Sequence, residues 1–110
     1  MTTEISRAIG ALSLAKRAGK LLTGFEAVGQ AARSGRAKLI VTANDISERT
    51  LKKTRDKANG TVLYAAPFGS REAETVFKKR FVIAALTDEN FVKLFLETCE
   101  RGNKHEEDDQ

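Results

Sequence analysis

The chain has 110 residues, 41% hydrophobic and 31% charged, with one cysteine and one histidine. One domain burying roughly 65% of its unfolded surface is expected, while a bilayer span of ~20 apolar residues, a secretory signal, an internal disulfide and a zinc site of familiar spacing are all excluded. The net charge of +4 hides an asymmetry: residues 102–110 set Lys104 against Glu106, Glu107, Asp108 and Asp109, leaving 18 Lys and Arg against 11 Asp and Glu, or +7, in residues 1–101. A body so basic points to a polyanion, nucleic acid first.

Ile5, Ala8, Ile9, Leu12, Ala15 and Ala18 recur at three- and four-residue steps behind caps at Thr2 or Thr3. They predict a first helix that stops at Gly19. Lys20 to Thr23 reads as a short strand. Gly24 then opens a second helix, with Phe25, Val28, Ala31 and Ala32 on its apolar side, which stops at Ser34-Gly35. Lys38 to Ala43 is apolar after its first residue, the mark of a strand covered on both faces. Asn44-Asp45-Ile46-Ser47-Glu48 is helix-start chemistry with Asp45 or Ser47 as cap, and the third helix turns Leu51 and Ala58 inward before Asn59-Gly60.

Thr61 to Ala65 is a third strand, kept extended by Pro67. Ser70 can cap a short fourth helix with Ala73, Val76 and Phe77 inward. A basic turn, Lys78-Lys79-Arg80, leads to the strand Phe81 to Leu86. Thr87 or Asp88 caps a last helix that packs Phe91, Val92, Leu94, Phe95 and Thr98 or Cys99 on the sheet. Helices interleaved with strands give an α/β fold, a three-layer α/β/α sandwich with a central four-stranded mixed sheet. Residues 1–101 form the single domain. The polar tail 102–110 is expected to be disordered, and the protein to be cytoplasmic, with no membrane association.

In such sheets ligands gather at strand ends and at loops entering helices, here Gly24 and Asn44-Asp45. Without a Cβ at Gly24, the first N–H groups of the second helix can approach a phosphate or base edge. Lys20, Arg33, Arg36 and Lys38 are expected to ring them. Phe25 either stacks on a base or tucks under the sheet. Glu26 and Gln30, one turn apart, can accept from guanine and donate to an acceptor. Asn44 and Asp45 serve as caps or as ligands. Lys78, Lys79 and Arg80 join the phosphate contacts. If about five cations engage, log affinity falls with log salt at a slope near −4.

No enzyme is implied. Residues 1–101 lack histidine, Cys99 has no partner base, and neither a P-loop nor a Gly-Xaa-Gly-Xaa-Xaa-Gly fingerprint occurs. No cofactor, metal or small-molecule substrate follows.

Gly24, ten residues, Gly35, then Arg36-Ala37-Lys38-Leu39-Ile40-Val41 and Ala43-Asn44-Asp45, with Ala15 to Leu21 before and Ile83 to Asp88 after, resembles a ribosomal protein family. It is the family named for its L-seven-Ae and L-thirty-e members, and the short stand-alone bacterial proteins of the YlxQ type are nearest in pattern. The likeness covers about residues 4–100. It implies an α/β/α sandwich that binds structured RNA, either ribosomal or a kink-turn (a sharply bent stem with tandem G·A pairs), and that is monomeric when free. The family's motif is glycine, any residue, asparagine, glutamate, two further residues and lysine. Here Gly24 matches, while Glu26, Ala27 and Gln30 stand at the three polar positions. The fourth helix also lacks the family's glycines, and the loop after it, which in the family lies against extruded bases with apolar side chains, is cationic here and has only Phe81 to serve as an aromatic contact. Since the fold serves in stress-signalling proteins too, the alternative is a protein-interaction module that docks through its third helix.

Overall fold

The structure, a computed structural model, describes residues 3–108, with side chains as far as Cys99. Among these residues helix and strand alternate as α1 (Thr3–Arg17), β1 (Leu21–Thr23), α2 (Phe25–Arg33), β2 (Leu39–Thr42), α3 (Glu48–Lys57), β3 (Leu63–Ala65), α4 (Ser70–Phe77), β4 (Ile83–Leu86) and α5 (Glu89–Asp108). A cap at Thr2 lies outside the described residues.

The strands make one mixed sheet in the order β1-β4-β2-β3, with β4 antiparallel to both neighbours and β2 parallel to β3. The two strands expected to be covered on both faces take the two interior places, with Thr42 the one polar residue in them. Every residue of β2 and β4 is buried, whereas β1 and β3, on the edges, are only partly covered. Because side chains alternate across a strand, the register sorts them into two cores. Leu39 and Val41 pair with Leu86 and Ala84 and pack under Ile9, Leu12 and Ala15 of α1, Ala73 and Phe77 of α4 and Phe95 of α5. Ile40, Ile83 and Ala85 face the other way, against Val28, Ala31 and Ala32 of α2 and Ala58 at the end of α3. Each large side chain so buried is worth about 1.5–3 kcal/mol, so neither helical layer can be removed without exposing a core.

Helix α5 differs from expectation. It runs to Asp108, through residues 102–108 that composition assigned to a disordered tail. Its packed turns, anchored by Phe95, supply the nucleus, after which each added residue gains a hydrogen bond at little cost. Gly102, Asn103 and the anions Glu106 to Asp108 at the negative end of the helix dipole oppose that extension. Asp109 and Gln110 lie outside the described residues.

Strands β1, β2 and β3 all finish at the end of the sheet where β4 begins, since Thr23 pairs with Ala84 and Thr42 with both Ile83 and Ala65. The start of α2, the loop after β2, the loop into α4 and the segment preceding β4 therefore meet at one edge. At the opposite edge the Lys38 N–H donates to the Leu86 carbonyl at 2.8 Å and the Thr87 N–H to the Lys20 carbonyl at 3.0 Å.

Candidate nucleic-acid interface

Gly24 holds φ +97 and ψ 153, a conformation that the turn from β1 into α2 requires and that a side chain would strain. Its N–H donates to the Ile83 carbonyl at 3.1 Å and its carbonyl accepts from Val28 at 3.0 Å. No side chain caps α2. The N–H groups of Phe25, Glu26 and Ala27 consequently open the helix without intrahelical acceptors, at the positive end of its dipole. A Cβ built at Gly24 would meet nothing within 4 Å beyond its chain neighbours, so the space beside the turn that opens α2 is clear.

Asp45 does not cap α3. That task falls to Ser47, whose Oγ accepts from the Thr50 N–H at 3.1 Å. Asp45 instead crosses to the start of α4, where Oδ1 accepts from the Ser70 N–H at 2.9 Å and Oδ2 from the Ser70 hydroxyl at 2.6 Å. Ser70 is only 1% exposed, and its Oγ accepts in turn from Arg80 Nε at 3.2 Å. The hydroxyl and backbone bonds from Ser70, with Arg80's charge a smaller cause, hold the Asp45 carboxyl below the usual carboxylate range. Ser70, expected as a helix cap, is thus the first residue of α4, the cap position being Gly69.

The two loops also touch through backbone. The Asn44 N–H donates to the Phe68 carbonyl at 2.8 Å, and a Cβ on Gly69 would come 3.0 Å from Asn44 Oδ1. Asn44 keeps an exposed side chain at the end of the sheet where α2 starts.

The cationic rim expected around Gly24 is not assembled. Lys20 is separated from Gly24 by the length of β1, ~13 Å at strand rise. Helix α2 carries the chain ~12 Å from Phe25 to Arg33 before Arg36 and Lys38 are reached. Lys20, Arg36 and Lys38 therefore sit at the far edge, where Lys38 Nζ donates to the Gly35 carbonyl at 3.3 Å. Residues close in sequence were parted because β1 and α2 each run the length of the sheet. Lys78, Lys79 and Arg80 are all exposed, and Arg80 reaches the loop edge through Ser70. Phe81 is a correction as well. It is 7% exposed and meets Phe77 edge-to-face at 5.4 Å, so it is core and offers no ring to a base.

Glu26, Gln30 and Arg33 share one stripe of α2 and, with Phe25, Gly29 and Lys57, line an open groove of about 300 Å3 between α2 and α3. Phe25 packs partly against the second core, and the Lys57 ammonium lies 5.4 Å from its ring centroid. That contact is worth about 0.5–1 kcal/mol at an exposed site. Lys57 and Ser70 are the residues that sequence reading missed. Neither carries a local signal, because each meets its partners only once the sheet has brought distant segments together.

Among the described residues no helix is long and apolar enough to cross a membrane, and no three potential metal ligands cluster. Residues 7–90 match the ribosomal protein L7Ae/L30e/S12e/Gadd45 family. A protein of Enterococcus faecium named RNA-binding protein YlxQ is 35% identical over 98 residues, 86% of this chain and 92% of its own. Its namesake from Bacillus subtilis (strain 168) is 36% identical over 85 residues, 73% of this chain and 82% of its own. Among solved structures, a protein of unknown function from Bacillus halodurans C superposes with a TM-score of 0.75 at 25% identity, covering 86% of this chain and 97% of that one. The Giardia lamblia 15.5kD RNA binding protein superposes with a TM-score of 0.65 over 92% of this chain and 89% of its own, and at 11% identity it shows likeness of fold alone.

Proposed function

The chain belongs to the ribosomal protein L7Ae/L30e/S12e/Gadd45 family, and from that premise we propose that it is a non-enzymatic protein that binds structured RNA at the loop edge of its sheet. The observation that carries this reading is the uncapped start of α2, open in front of Gly24 and flanked by the interlocked loops of Asn44-Asp45 and Gly69-Ser70. The relatives named RNA-binding proteins support the same class of ligand.

The chemistry divides by residue. Bare N–H groups of the first turn of α2 donate to a phosphate oxygen or a base carbonyl at a positive dipole end. Glu26 stands in that turn as an anion, so it repels phosphate from its own side and accepts from base N–H groups instead. Gln30 donates and accepts one turn further on. Asn44 reads from the neighbouring loop, while Lys78, Lys79 and Arg80 supply position and affinity through phosphates. Unstacked or bent RNA exposes the base edges such a surface can read; a straight A-form duplex hides them in a deep, narrow groove.

With Lys20, Arg36 and Lys38 at the far edge, about four cations including Arg33 face the ligand, and the salt slope becomes roughly −3. The test is a titration of a kink-turn oligonucleotide and a straight duplex of equal length at two salt concentrations. Tighter binding of the bent RNA with a slope near that value is the expected result. Equal, salt-insensitive or absent binding of both would reject the reading and favour a protein partner. Asn44→Asp, checked for unchanged melting, is expected to weaken the bent RNA several-fold by placing a carboxylate at the loop edge.

A further inference from the structure

The geometry points to Lys57 as a phosphate contact, and to the groove between α2 and α3 as the channel along which the RNA backbone leaves the loop edge. This deepens the RNA reading above and rests on it. The groove begins with Phe25 and Glu26, the first two residues of α2, and ends at Arg33, the last. It therefore continues the open helix start without a break. The ~12 Å rise of α2 sets the length of this channel.

Lys57 is placed for this by two features of α2. The lysine stem lies across Gly29, its Cδ 3.7 Å from where a Cβ there would stand, at van der Waals distance. The ammonium then rests 5.4 Å from the centroid of the Phe25 ring. A ring holds a cation without neutralising it, and no carboxylate among the described residues pairs with Lys57. The side chain is thus restrained while its charge stays available, which lowers the ordering cost of meeting a phosphate. Across the groove, neutral Gln30 separates Lys57 from Arg33, so a strand running down α2 meets cation, amide and cation in turn. Glu26 at the head of the groove turns phosphates toward Lys57 by repulsion and accepts from a base or a 2′-hydroxyl.

The experiment is the same titration of the bent oligonucleotide, over a range of salt, with Lys57→Gln, Lys57→Arg and Lys52→Gln beside the parent. Lys52 lies on α3 but outside the groove. Lys57→Gln is expected to weaken binding roughly three- to fivefold and to reduce the salt slope by about 0.7–0.9. Lys57→Arg should keep the parent slope, and Lys52→Gln should leave both quantities unchanged. If the parent binds the bent RNA and Lys57→Gln matches its slope, the groove does not carry phosphate, although the loop-edge reading stands. A loss of affinity with an unchanged slope assigns Lys57 to packing of Phe25 and overturns its phosphate role. A parent that ignores both RNAs at every salt concentration sinks the groove and the loop edge together.

Discussion

The two edges of one sheet are built from opposite materials. At the far edge Lys20, Arg36 and Lys38 stand in solvent, and the contact from the Lys38 ammonium to the Gly35 carbonyl is itself exposed. At the loop edge Asp45, Ser70 and Arg80 form a chain of hydrogen bonds across segments 25 and 10 residues apart, around a buried serine. The far edge has charge without shape. The loop edge has both, because its polar groups are fixed by one another and the start of α2 is held by Ile83 beside them. Placing a ligand at one edge and not the other therefore follows from positional order more than from the number of lysines, since a recognition surface must hold its groups still before contact.

Breaking that order should give the largest effect. Asp45→Ala leaves the Ser70 N–H and hydroxyl without their acceptor at a buried site, and a loss of roughly 2–3 kcal/mol is expected in urea unfolding. Lys38→Ala at the far edge should change stability by no more than about 0.5 kcal/mol. The same contrast can be read from pH. Folding lowers the Asp45 pKa, so its contribution is complete above the unfolded value and is lost as pH falls through the lower, folded one. The parent should accordingly weaken in acid by more than Asp45→Asn does, because the amide has no such proton to take up. Equal acid sensitivity of the two proteins would show that Asp45 is not held as described.

Charge removal sharpens the comparison at a smaller scale. Replacing Lys78 and Lys79 by glutamine is expected to flatten the RNA salt slope by about 1.5, whereas replacing Lys20, Arg36 and Lys38 should leave it nearly unchanged. Melting temperatures of both multiple variants should stay close to the parent's. The reverse pattern in the titration would move the ligand to the far edge.

Much of the fold was legible because hydrophobic period is a local property. Apolar runs at Leu39 to Ala43, broken only by Thr42, and at Phe81 to Leu86 marked strands buried on both faces, and the register puts β2 and β4 in the middle of the sheet. Glycine stops likewise marked the turns at Gly24 and Gly35, both at positive φ. The site was legible only where a feature was local in the same sense, as at the uncapped helix start. What sequence could not show is which loops end up side by side. Asp45 read as a cap for the helix that follows it, and only the parallel pairing of β2 with β3 brings it to Ser70. Phe81 read as an aromatic contact because the family resemblance lays that loop against bases, yet it belongs to the strand's apolar run and packs on Phe77. The far-edge cations looked like a rim because sequence distance ignores the length of the elements between.

Lys78 gives the smallest and most discriminating test of the comparison. It ends α4 in the left-handed conformation, with φ +60 and its N–H donating to the Glu74 carbonyl at 2.9 Å. This is the helix-end position where glycine is ordinarily found, because a Cβ there is strained. Lys78→Gly should therefore stabilise the fold or leave it unchanged, with a gain of at most about 1 kcal/mol in urea unfolding. If Lys78 serves the loop edge only as a turn residue, RNA binding should rise or hold along with stability. If its ammonium meets a phosphate, binding should weaken by a few-fold and the salt slope should drop by just under about one, even though the protein has become no less stable. Stability and affinity moving in opposite directions on one substitution separates a group held for its ligand from a group held for the fold, a distinction that losses of affinity alone cannot make at this edge.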